Sequence, residues 1–191
     1  VTGTEEIVTA PRNPGQLALL WDRTLWRLIV YIAGSVVLGA AAGLLWSAVT
    51  PRASYTVLED LSASISERGQ AEIVAADATF TFITALLGLL VGVLGWLMLH
   101  RRGWWVIVAT LVAAIAASVM AWRFGVSVGP HDFVERLASA GAGDVVEVDL
   151  TLRSMSALLI APFAAIIPIM LLSAFWPEAA GDQDEATVAL D

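Results

Sequence analysis

The chain has 191 residues, 58% of them hydrophobic and only 15% charged, with a mean hydropathy of +0.78. That is far more apolar than a soluble domain of this length needs, so the composition excludes a water-solvated globule and calls for an apolar solvent. A formal net charge of −8, with ten scattered arginines as its only strong bases, excludes nucleic acid as a partner, and the absence of cysteine excludes disulfides, thiolate metal sites, iron–sulfur clusters and a cysteine nucleophile.

The first sixteen residues, with Pro11, Pro14 and Gly15, hold too little apolar surface to order themselves. From Leu17 the character changes. Leu17, Leu20, Trp21, Leu25 and Leu28 recur at helical spacing opposite Asp22, Arg23 and Arg27, which fits a short interfacial helix or, equally, an extension of the apolar run that begins at Leu28. Residues 1–27 are thus expected as a cytoplasmic N-terminal segment.

A hydrocarbon core of about 30 Å needs roughly 20 apolar residues in a helix. Four stretches meet that length without any Asp, Glu, Lys, Arg or His: 28–49, 78–99, 104–122 and 155–176. They are apolar all round rather than amphipathic, which separates them from the core helices of a soluble protein. The expected fold class is an all-α four-transmembrane-helix bundle over 28–176. The first stretch is too long and begins too late for a cleaved signal peptide.

In the first stretch Ser35, Gly39, Gly43 and Ser47 form a row of small residues at four-residue spacing, including a GxxxG. In lipid such rows let helix backbones approach closely, so this face is expected to meet another helix, within the chain or in a neighbour, with internal packing favoured. The loop 50–77 carries a short extended stretch, Ser54 to Leu58. Ser64 and Glu67 then have capping-box spacing, which starts a helix before the second stretch, although Gly69 weakens it. In the second stretch Thr81, Ala85, Gly88, Gly92 and Gly95 repeat the small-residue pattern with another GxxxG.

His100, Arg101, Arg102 and Gly103 make a tight basic turn into the third stretch, whose Ala113, Ala117 and Ala121 form a weaker stripe of small residues. The loop 123–154 comes next. Arg123 at its start and Asp77 at the end of the first loop are placed to form a structural ion pair. His131, Asp132 and Glu135 contain metal-ligating types, but one histidine and two acids in a Gly-Pro turn are weak evidence for a metal, and no metal or other cofactor is implied. Val146, Val148, Leu150 and Leu152 alternate with Glu147, Asp149, Thr151 and Arg153, a strand signal. A lone strand leaves its backbone groups unpaired, so it is expected to pair with Ser54 to Leu58 in a small cap containing short β-strands.

The fourth stretch contains Pro162 and Pro168, each expected to kink its helix for structural reasons. Residues 177–191, with five acids and no base, read as a disordered solvated tail. No charge lies inside any stretch, which opposes ion-coupled transport. No phosphate loop, nucleophile elbow or zincin motif occurs, so no catalytic residue is assigned and the chain is not expected to be an enzyme.

All eight tryptophans fall near the ends of the four stretches, as indoles at a headgroup level would. The arginines divide five against five between the two sides, so orientation rests on Arg23, Arg27, Arg101 and Arg102 flanking the spans. Both termini are then cytoplasmic in the plasma membrane, and the loops 50–77 and 123–154, with ten of the eighteen acids, face outward.

Trp46 through Pro51 and Tyr55, the run Ile73 to Asp77 with Phe80, and the run Ala121 to Gly125 together resemble a family of small actinobacterial four-span membrane proteins whose domain has no assigned function. The absence of lysine beside abundant Arg, Ala, Val and Gly fits a GC-rich genome, and Val1 fits a GTG start. The resemblance implies a cell-envelope location and brings no catalytic residues; some relatives accompany envelope lipid-transport assemblies. The expected function is an accessory or scaffolding subunit of a cell-envelope membrane assembly, partnered by the bilayer and by other membrane proteins or a second copy. The alternatives are a carrier of lipid or small amphiphiles, which needs a lateral groove beside Pro162 and Pro168, and an outer-face enzyme, which needs Asp77, His131, Asp132 or Glu135 to converge.

Overall fold

The computed structural model describes residues 15–60, 62–100 and 103–175, with side chains from residue 25 onward. The expectations for the N-terminal tail, for the stripe through Leu17, Leu20 and Trp21, for Arg101 and Arg102, for Trp176 and for the acidic tail lie outside the described residues and side chains. The elements are α1 (Gly15–Val49), β1 (Ser54–Val57), β2 (Ala63–Ile65), α2 (Glu67–Leu99), α3 (Trp105–Val128), α4 (Phe133–Ala138), β3 (Val145–Glu147), a 3-10 turn (Met155–Leu159) and α5 (Ile160–Phe175). Four helical segments, built on α1, α2, α3 and the 3-10 turn with α5, are long and apolar enough to cross a membrane.

These helices overrun the charge-free stretches. α1 is one helix from Gly15, the extension of the first stretch rather than a separate interfacial helix. α2 does begin in the preceding loop, but its cap is Ser66 and not Ser64. The Ser66 hydroxyl accepts from the Gly69 amide at 3.1 Å, while Ser64 is held in β2 opposite Thr56. Glycine suits position 69 because a Cβ there would lie 2.9 Å from Cγ1 of Ile65, where the strand folds back over the helix start. α3 carries Arg123 within it and stops at Gly129, which is extended before Pro130, as a residue preceding proline prefers.

The bundle is made of two helical hairpins laid on each other. α1 packs chiefly along α3, and α2 along α5. A Cβ on Gly39 would run into the Ala117 carbonyl and one on Gly43 into that of Ala121, so the two helices advance together and are parallel. The same holds for Gly88 with Ala161 and Gly92 with Ala165. Both GxxxG rows are therefore used inside the chain, each against a row of alanines. Ser35 belongs to the first row, and its buried hydroxyl donates to the Tyr31 carbonyl at 2.9 Å.

Of the two expected kinks, Pro168 lies inside α5, with its ring in the space left by Gly92. Pro162 is instead the third residue of α5, in its first turn, where proline is tolerated. The chain enters this helix through the 3-10 turn, so Pro162 comes after a change of helix type rather than breaking one helix.

Two apolar clusters fill the interior. One surrounds Tyr31, Val91, Ala113 and Ala165; the other, toward the loops, surrounds Trp46, Phe80, Ala121, Leu150 and Leu152. Tyr31 ties three helices, its hydroxyl reaching the Val91 carbonyl at 2.8 Å and Oγ1 of Thr110 at 3.4 Å. Two tryptophans depart from the headgroup expectation: Trp46 and Trp96 are buried in these clusters, whereas Trp26, Trp104 and Trp105 are exposed. Burying Trp46 is tolerable because its Nε1–H donates to the Ala76 carbonyl at 2.9 Å.

At the loop end, the strands form an antiparallel sheet of order β2-β1-β3. The expected pairing of the two loops forms between β1 and β3, with Tyr55 opposite Val146. β3 is shorter than its sequence signal because Leu150 and Leu152 leave the sheet to be buried against Trp46 and Phe80. β2 and α4 had no sequence expectation.

Candidate functional site

The candidate side chains Asp77, His131, Asp132 and Glu135 stand in or beside the two loops, which the fold gathers into one cap above the helix ends. Its base is a junction around Trp46, near the C-terminal end of α1. The Trp46 ring meets Phe80 of α2 edge-on at a centroid distance of 4.9 Å. On the α3 side it lies against Gly125, where a Cβ would sit 2.5 Å from Cε3. Three helices are thus fixed by one indole.

Asp77 of α2 extends the junction into the second loop. Its two carboxylate oxygens accept the backbone N–H groups of Arg153 and Ser154, at 3.2 and 3.1 Å, just before the 3-10 turn. The expected ion pair with Arg123 does not form. Backbone amides occupy the Asp77 carboxylate, and the Arg123 guanidinium instead lies over the neighbouring Trp122 ring, 5.1 Å from its centroid. Asp77 still ties loop to bundle, but through amide donors rather than a cation.

Arg136 of α4 organises the cap's upper part. Its Nε donates to the His131 carbonyl at 3.0 Å, and Nη2 donates to the Glu147 carbonyl at 3.1 Å and to Oδ1 of Asp149 at 2.6 Å. The other Asp149 oxygen accepts the Phe133 amide at 3.0 Å, one of the donors a helix start leaves unpaired. Phe133 in turn packs on Tyr55 of β1, with ring centroids 5.5 Å apart. Asp132 precedes α4 in the left-handed region, φ 64°, which aspartate tolerates better than most residues. Sequence reasoning missed Arg136 and Asp149; the only signal was the short helical run after the Gly-Pro turn, too brief to carry periodicity.

Arg52, between α1 and β1, approaches Glu147 at 3.8 Å and lies beside Gly129 at the C-terminal end of α3, where unpaired carbonyls favour a cation. A cavity of about 30 Å³ lies next to it, lined among others by Glu72, Asp149 and Arg153, with room for a water and not for a substrate. A larger open groove of about 570 Å³ runs between α4 and residues 148–151. In the β1–β2 turn the Ser62 hydroxyl, at 2.6 Å, and the Ser62 amide, at 3.0 Å, hold the Asp60 carboxyl below its ordinary pKa.

His131, Asp132, Glu135 and Asp77 do not converge: among the described residues no three His, Cys, Asp or Glu side chains are grouped to hold a metal ion. His131 enters the hydrogen bonding of the cap through its carbonyl, and the Asp132 carbonyl accepts the Arg136 amide at 3.0 Å. Comparison with protein families, curated proteins and solved structures finds no match to the chain. Trp46, Ala76, Asp77, Phe80, Ala121 and Gly125 all belong to the junction beneath the cap.

Proposed function

We propose that the chain is an integral plasma-membrane protein that crosses the bilayer four times, with both termini cytoplasmic. On this reading it serves as an accessory or scaffolding subunit of a cell-envelope assembly. The observation that carries it is the junction itself, in which Trp46, Gly125 and Asp77 fix the cap to three helices and make the outer loops a rigid platform. The platform exposes apolar side chains, Leu58, Val134 and Val145, beyond the helix ends, where a partner protein would cover them.

The carrier reading is disfavoured, because the face beside Pro162 and Pro168 is closed by Gly88 against Ala161 and Gly92 against Ala165. Purification from native membranes in mild detergent tests the scaffold. A specific membrane partner should co-purify with the full-length chain, and recovery only as a free monomer would count against the proposal.

A further inference from the structure

The groove between α4 and residues 148–151 has the size of a small-ligand site, and its lining is chemically divided. Phe133, Val134, Ala138 and Val148 give it an apolar part, and Val134 of α4 is 78% exposed. Asp132 and Glu135 give it two carboxylates, neither of which is paired with a cation among the described residues. The third groove carboxylate, Asp149, is already engaged by Arg136 and the Phe133 amide. The whole segment 123–154 has five acids against three arginines, so the field around the groove is negative.

We infer that this groove receives a segment of an extracytoplasmic partner protein in which basic and apolar side chains alternate. The apolar side chain would cover Val134 and Ala138, and the cation would meet Asp132 and Glu135. The inference rests on the scaffold reading and names the chemistry by which its partner docks. Charge complementarity supplies orientation and encounter rate, and the covered apolar surface supplies residence time. Glu59, in the β1–β2 turn, offers an exposed acid that does not line the groove.

The test uses the full-length protein in lipid nanodiscs and three fluorescent hexapeptides: alternating leucine and arginine, alternating leucine and glutamate, and alternating serine and arginine. The leucine–arginine peptide should bind best in anisotropy titrations. Asp132→Asn with Glu135→Gln should weaken it about five- to tenfold, as two partly screened carboxylates would. Asparagine also tolerates the left-handed backbone at 132. Val134→Ser should weaken it too, while Glu59→Gln leaves it unchanged. Equal binding of the serine–arginine peptide, or equal weakening by Glu59→Gln, would overturn the inference in favour of general attraction to an acidic face. Displacement of the peptide by phosphatidylethanolamine in the nanodisc would overturn it in favour of a lipid amine. The two proposals fail separately: a native partner retained by the double variant sinks the groove alone, and peptide binding without any native partner sinks the scaffold alone.

Discussion

Gly125 of α3 lies so close to the Trp46 indole of α1 that a Cβ on the glycine would stand 2.5 Å from Cε3. The indole is fully buried, edge-on to Phe80 and bonded to the Ala76 carbonyl, so it has no direction in which to yield. Gly125→Ala should therefore lower stability by about 1 to 3 kcal/mol through overpacking. Trp46→Phe keeps a ring but leaves the Ala76 carbonyl without this donor, and should cost about 1 to 3 kcal/mol. Thermal unfolding in one detergent, with the wild type alongside, measures both.

The hairpin-on-hairpin contact makes a sharper demand, because the obstructing atoms are backbone. Gly39→Ala and Gly88→Ala each drive a methyl into a carbonyl of the parallel helix, at Ala117 and Ala161. Each should destabilise by about 1 to 3 kcal/mol. Gly34 has nothing within 4 Å of its virtual Cβ, so Gly34→Ala should leave stability unchanged or raise it by up to about 1 kcal/mol through helix propensity. Equal losses at all three positions would contradict the packing.

The Asp77 clasp separates amide capping from ion pairing. Asp77→Ala should speed hydrogen exchange at the Arg153 and Ser154 amides and cost about 1 to 3 kcal/mol. Arg123→Gln should leave those two amides as protected as before. A matching loss in both variants would restore the ion pair that the sequence suggested.

The helical architecture was legible from the chain, and so was the pairing of the two loops. Long charge-free runs identify helices by length alone, and the alternation from Val146 to Leu152 marks an extended segment whatever it packs on. Rows of small residues likewise identified the contact faces, though not which helices they would join, since Gly39 and Ala117 are far apart in sequence. Short features were not legible. β2 has three residues and gains its order from β1, α4 has six and gains its order from Asp149 and Arg136, and neither is long enough for a periodic signal. The Asp77 assignment failed for a related reason: a carboxylate placed at the same end of the bundle as an arginine can equally be satisfied by amides that only the fold brings near. Trp46 was misplaced because proximity to a span end does not say which way a ring faces.

Asp60 gives the cap turn a pH dependence of known sign. Its folded-state pKa is lowered by the Ser62 hydroxyl and then by the Ser62 amide, so the charged form is the one the turn favours. The resulting stabilisation is present above the ordinary aspartate value of about 3.9 and is lost as pH falls through the lower folded value. Ser62→Ala should raise the Asp60 pKa toward that ordinary value in a carboxyl-detected NMR titration. No change on removing the hydroxyl would contradict the assigned cause.

The proposed topology, with the cap outside the cell on four membrane-crossing helices, is directly measurable because the sequence contains no cysteine. Single cysteines at Ser64 in the cap and Thr9 in the N-terminal segment would be treated with a membrane-impermeant maleimide in intact cells. The account predicts labelling of the Ser64 variant in intact cells and of the Thr9 variant only after the membrane is opened. The reverse pattern, or equal labelling of both in intact cells, would contradict it.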